Sequence, residues 1–192
     1  MEAPMLRRMI LFCLLAATPF SLHAESLGAF EGRYKVAPSS VIHFSVAQMG
    51  GQAIEGRFKS FSGQFVLGGE DASRSSVQFT LSPGSVEAVD PRVEEFIKSE
   101  AVFDVATYPK VSFRSTSVKR TGDDSAVISG RLTAKGVTRD TKFNIRYEGK
   151  SAGGLKFHVT GKMSRALFNM DVGTPVYSNM VVLDMELVGK RN

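Results

Sequence analysis

Disulfide bonds cannot hold this protein together. Cys13 is the only cysteine among 192 residues, so stability has to come from packing and backbone hydrogen bonds, and intramolecular thiol exchange is excluded. Histidine is nearly as scarce: His23, His43 and His158 are the whole supply. None of the spacings HExxH, CxxC, GxxxxGK[ST] or GxGxxG occurs, which removes common routes to zinc hydrolysis, thiol redox chemistry and nucleotide binding. After residue 24 no basic run is longer than Lys119-Arg120 or Lys190-Arg191, and the remaining Lys and Arg are interspersed with Asp and Glu. A formal net charge of +5 spread in this way gives no electrostatic footprint for nucleic acid. Tryptophan is absent, leaving phenylalanine to supply aromatic bulk.

Long apolar runs are also missing, apart from one at the amino terminus. Arg7 and Arg8 precede an apolar stretch over residues 9–20, and Leu22-His23-Ala24 ends on a small residue. Charged start, short apolar run and small terminal residue together predict an export signal over 1–24, with cleavage before Glu25. Thr18, Pro19 and Ser21 break the run short of the roughly 20 apolar residues a spanning helix needs, so no stable membrane anchor is expected. Cys13 lies inside the run behind Phe12, where a lipidated cysteine would follow a small residue. The mature domain is therefore residues 25–192, one domain of ordinary size.

What the chain does have is alternation. Ile42, Phe44 and Val46 are separated by polar positions; so are Val77, Phe79 and Leu81; Val111 and Phe113; Phe143, Ile145 and Tyr147; Leu155, Phe157 and Val159; and Val181, Leu183, Met185 and Leu187. A period of two with one apolar face predicts antiparallel strands, wet on the other side. Turn signals at Gly50-Gly51, Gly68-Gly69, Ser82-Pro83-Gly84, Gly122-Asp123-Asp124 and Gly153-Gly154 space them regularly, as in an all-β sandwich or a closed barrel. His43 and His158 fall in the polar register and are read as outward or rim residues. Glu94-Glu95 and Asp123-Asp124 read as a solvated helix face and a hairpin turn, not as paired catalytic acids.

Residues 90–113 interrupt this rhythm. Asp90 and Pro91 have the chemistry of an N-cap and first helical residue, and Val93, Phe96 and Ile97 form one apolar face. An elbow, Phe103-Asp104-Val105-Ala106-Thr107-Tyr108-Pro109, follows before alternation resumes at Val111. This core, with Phe113, resembles the YceI family of periplasmic lipocalin-like proteins. Four other stretches fit the resemblance in order, namely residues 39–46, 56–65, 130–139 and 163–168. The chain carries Gln48 and Glu95-Phe96 where that family commonly has a histidine and a His-Leu pair. The resemblance implies an up-and-down antiparallel lipocalin-like barrel of about eight strands with one short helix.

It also implies an exported, periplasmic carrier for a long isoprenoid lipid, either a polyprenyl chain or the tail of an isoprenoid quinone. No further cofactor, metal or catalysis is expected, and a homodimer is left open. Phe44, Phe58, Phe65, Phe79, Phe96, Phe103, Phe113, Phe143, Phe157, Phe168, Met163 and Met185 are the expected inward, ligand-facing residues. Arg165, Tyr108 and Asp104 are the expected polar residues of the mouth, with Asp104 bonding the elbow backbone or pairing with Arg165. Phe and Met in these positions suit a solidly packed core as well as the walls of a lumen. A packed barrel acting through its surface, or an enzyme using His43 or His158 as base, are the alternatives.

Overall fold

The computed structural model describes residues 26–151 and 153–192; the expected export signal over 1–24 lies outside them. Eleven strands are formed among these residues: β1 (Glu31–Val36), β2 (Val41–Gln48), β3 (Ile54–Phe58), β4 (Phe61–Gly68), β5 (Ser76–Leu81), β6 (Val86–Ala88), β7 (Val111–Arg120), β8 (Ser125–Ala134), β9 (Val137–Ser151), β10 (Gly154–Ser164) and β11 (Tyr177–Arg191). One α-helix, α1 (Pro91–Lys98), lies between β6 and β7. The alternating segments are strands, and their apolar members are buried or half-buried while the residues between them are mostly more exposed.

The eleven strands occupy eight places around a closed antiparallel barrel. β1 and β2 both pair with β11, Tyr34 opposite Arg191 and Leu183 opposite Phe44, so they form one long strand bent at residues 37–40. The bend is stitched by the Ala37 N–H to the Val188 carbonyl at 2.7 Å and the Val188 N–H to Ser40 Oγ at 2.9 Å. β3 and β4 are likewise halves of a strand broken at Lys59-Ser60, and β5 and β6 halves of one broken at residues 82–85. These two breaks lie side by side: Ser82 N–H donates to the Ser60 carbonyl, and Ser60 N–H to Ser85 Oγ, both at 2.9 Å. The Ser82-Pro83-Gly84 signal therefore marks a kink within a strand and not a hairpin. Proline removes one ladder donor, and Ser60 and Ser85 replace the lost pairing.

Every neighbour in the ring is a neighbour in sequence, and the ring closes where β1 and β2 meet β11. At one end the 3-10 turn Leu27–Ala29 crosses the opening, with Leu27 N–H bonded to the Asp123 carbonyl at 2.8 Å and Phe30 edge-on to Tyr147 at 5.0 Å. At the other end β6 and β7 separate, and the chain between them, carrying α1 and the elbow, fills the gap. This end also holds the β2–β3, β8–β9 and β10–β11 connections. The β8–β9 turn is a two-residue hairpin at Lys135-Gly136, with φ of 47° and 73°, the paired left-handed geometry that suits the twist of adjoining strands.

Candidate functional site

A cavity of about 630 Å³ fills the half of the barrel nearest α1. Inward Phe44, Phe58, Phe79, Phe103, Phe113, Phe143, Met163 and Met185 line it, together with aliphatic residues such as Ile42, Leu132 and Leu183. A lumen with this many large rings stays hollow because the rings lie along the wall. Opposite or diagonal to each of several Phe residues, the neighbouring strand carries glycine. A Cβ on Gly161 would stand 2.5 Å from the Phe143 ring, one on Gly56 2.6 Å from Phe44, and one on Gly63 2.7 Å from Phe79. Gly130 stands in the same relation to Phe113. The rings occupy the space that side chains on those strands would take, and the barrel axis is left open.

The lid is built from local chemistry. Asp90 caps α1 through the Arg92 N–H at 2.9 Å and also accepts from the Arg92 guanidinium at 2.7 Å; those hydrogen bonds hold its carboxyl below the usual carboxylate range. Ile97 is buried, Val93 half-buried, and both face the cavity. Phe96, expected inward, is 41% exposed and stands at the rim, because the short helix turns that edge of its apolar face toward the opening. The elbow folds back on the helix end through backbone bonds, Phe103 N–H to Ile97 O at 3.1 Å and Asp104 N–H to Ser99 O at 2.8 Å. Lys135, at the β8–β9 turn, donates to the Glu100 carbonyl at 2.8 Å and the Asn169 carbonyl at 2.9 Å, tying the lid to the loop after β10.

The three polar mouth candidates are placed differently from the expectation. Arg165 lines the cavity but is only 8% exposed, and it does not meet Asp104. Its Nε donates to Ser178 O at 2.8 Å, its Nη1 to the carbonyls of Met170 and Val172, and its Nη2 to Tyr177 O at 3.0 Å and Thr174 Oγ1 at 3.4 Å. All five guanidinium donors are thereby engaged, so Arg165 moulds the loop over residues 165–178 and offers no donor to a head group. Burial draws its pKa down and Asp171 opposes that shift. Asp104 takes a left-handed φ of 47° and closes the elbow by its backbone, its carbonyl accepting from Thr107 and Tyr108. Tyr108 lies over Gly136, where a Cβ would stand 2.8 Å from its ring; neither it nor Asp104 lines the cavity.

Other expected residues sit elsewhere in the barrel. Phe65 and Phe157, edge to face at 5.6 Å, lie deeper and line a second cavity of about 90 Å³ at the closed end. Phe168 is 1% exposed and belongs to the packed wall beneath the β10–β11 loop. Arg92, its side chain 91% exposed, lines the opening together with Asp90. Only its position in the first turn of the lid helix signalled this. His43 points outward, and His158 meets Asp184 at 3.1 Å on the outer wall. The spacing Gly149-x-Ser151-x-Gly153 falls in the β9–β10 hairpin at the closed end, not on a strand-to-helix turn, so Ser151 lacks the setting of a nucleophile elbow.

With this geometry in place, the relatives can be set beside it. The YceI-like domain profile matches residues 34–189. "Protein YceI" of Salmonella arizonae and of Salmonella dublin are each 28% identical over 191 residues, covering 93% of this chain and 98% of theirs. BcnA from Burkholderia cenocepacia superposes with a TM-score of 0.73 at 25% identity, over 80% of this chain and 98% of its own. A polyisoprenoid binding domain from Saccharophagus degradans superposes with a TM-score of 0.65 at 17% identity, over 85% of this chain and all of its own.

Proposed function

The chain belongs to the YceI-like domain family, and from that premise we propose that it is an exported carrier that holds a long isoprenoid lipid in its barrel. The observation that carries this reading is the apolar cavity of about 630 Å³, whose charged lining residues are Asp90, Arg92 and Arg165, near its opening. That volume lies within the range of about 300–1,000 Å³ found for small-molecule sites. Each buried methylene contributes about 0.8 kcal/mol, so a branched hydrocarbon tail of a few isoprene units suffices for tight binding without a strong polar anchor. Arg92 at the rim suits a polar or anionic head group left in solvent. The polyisoprenoid binding of the Saccharophagus degradans domain, on the same fold, supports the ligand class.

Binding without catalysis is part of the proposal, since both described histidines are on the outer wall and the five donors of Arg165 are committed to the loop. The open lumen speaks against the packed-barrel alternative. Export to the periplasm through a signal over 1–24 is also proposed, and the reading is the same for a monomer or a homodimer. The deciding experiment is solvent extraction of the freshly purified full-length product, followed by mass spectrometry. Recovery of a stoichiometric prenyl lipid or quinone supports the carrier. An extract without lipid, from protein that also fails to retain added geranylgeraniol, refutes it.

A further inference from the structure

The upper and lower cavities share walls. Val77 and Phe79 from β5, Ile128 from β8, Ile145 from β9, Val159 from β10 and Leu187 from β11 line both. These are the inward residues at one level of the barrel: Ile145 stands directly opposite Val159, and the others are set off around the ring by the stagger between strands. The ring forms a waist. Below it the space of about 90 Å³ is apolar apart from Ser75, whose hydroxyl accepts from the Gly68 N–H at 3.0 Å, and Arg120, whose guanidinium is turned to the Gly69 carbonyl at 2.8 Å and to Glu70. The lining is otherwise hydrocarbon, so the lower cavity is room that a hydrocarbon tail can use.

Resting on the isoprenoid reading of the upper cavity, we propose that this waist is the stop that fixes how deep the lipid tail reaches, and hence which chain length the protein selects. The tail runs down the axis between the flattened Phe rings until its end meets Ile145, Val159 and Ile128. A longer tail must either leave carbon in solvent at the mouth or open the waist into the lower cavity. Removing bulk from the ring joins the two spaces and lengthens the accepted tail. Adding bulk shortens it. Because the opposed residue on β8, Ala126, lines only the lower cavity, the floor can be refilled independently.

The test offers the full-length protein an equimolar ladder of geraniol, farnesol, geranylgeraniol and geranylfarnesol, and quantifies what is retained. Ile145→Ala is expected to shift the retained ratio toward the next longer alcohol by at least about tenfold, the discrimination that small changes of hydrocarbon fit produce. Ile128→Phe is expected to shift it toward the next shorter one. Adding Ala126→Leu to Ile145→Ala returns volume across the same cross-strand pair and is expected to restore the wild-type ratio. That reversal distinguishes a filled floor from general loosening, and Ile128→Phe serves if Ile145→Ala does not fold. A wild-type protein that retains the ladder while folded waist variants keep its ratio overturns the waist alone. A wild-type protein that retains none of the ladder, and yields no lipid on extraction, overturns the carrier reading together with it.

Discussion

Single side chains decide here whether the lumen is open. Gly161 is the clearest case, because Phe143 lies flat only while that position has no Cβ. Gly161→Val is expected to push the Phe143 ring toward the axis. It should destabilise the fold by about 1–3 kcal/mol through overpacking, and lower the amount of bound lipid more than that instability explains; urea unfolding and extraction of the same preparation check both. Arg165 acts at the same scale in another way. Arg165→Met removes all five donors and leaves the carbonyls of Met170, Val172, Tyr177 and Ser178 without them, so a loss of about 1–3 kcal/mol is expected, readable as a shifted urea midpoint at unchanged slope. Arg165→Lys is not expected to rescue it, since one ammonium cannot reach the five acceptors.

At the scale of elements, α1 with its elbow is the part most easily opened. An eight-residue helix is unstable alone, and its attachments are Val93, Ile97, the Glu94 side chain on the Ala88 N–H at 3.0 Å, and the Lys135 clasp on Glu100. Hydrogen exchange is therefore expected to be faster over residues 91–108 than in the sheet, and to slow there when geranylgeraniol is added. Protection gained only in distant strands would assign this segment a purely structural role. Lys135→Met is expected to speed exchange over 91–108 and to leave β9 and β10 unchanged. The cap carries its own pH signature. Because Arg92 depresses the pKa of Asp90 below its ordinary value of 3.8, the cap's contribution is complete above that value. It fades as pH falls through the lower folded pKa, so lid exchange is expected to rise only in strong acid, and Asp90→Ala to raise it above that range and to leave it little changed within it.

For the whole molecule, the absence of disulfides after residue 24 places the stability burden on closure of the ring. β1 and β2 together cover one edge of β11, so among the described residues no long strand edge is left at this seam for another chain to pair with. A break in this seam is expected to be felt globally: Ser40→Ala removes the acceptor for the Val188 N–H in a buried bend and should cost about 1–3 kcal/mol, with added lipid recovering part of it by binding only the folded barrel. On export, the mature amino terminus is expected at or within a few residues of Glu25 in the periplasmic fraction. Terminal sequencing that finds Met1 intact in membranes would contradict this.

The sequence by itself determined the six strands that alternate most plainly, the helix and the elbow, because alternation, an N-cap with proline, and a proline-ended elbow are local signals that tertiary packing had no reason to override; it misplaced Phe96, which the short helix turns to the rim. The closed ring followed from the resemblance and not from periodicity, which serves a sandwich equally well. Three things were decided only by the tertiary structure. Pro83, Gly84 and the serines at 82 and 85 read locally as a turn, yet side-by-side breaks in two adjacent strands absorb them as a bend. Lys135-Gly136 carries no strong turn composition, and its left-handed geometry is set by the short span between two long strands. Whether the twelve phenylalanines after residue 24 fill a barrel or line it depends on glycines on the adjacent strand, such as Gly161 beside Phe143, and the register that pairs them is not written in either segment alone. The partners of Arg165 and the rim position of Arg92 were hidden for a different reason, since an arginine's role depends on how the loop or helix that carries it is folded and on which carbonyls and carboxylates that brings to it.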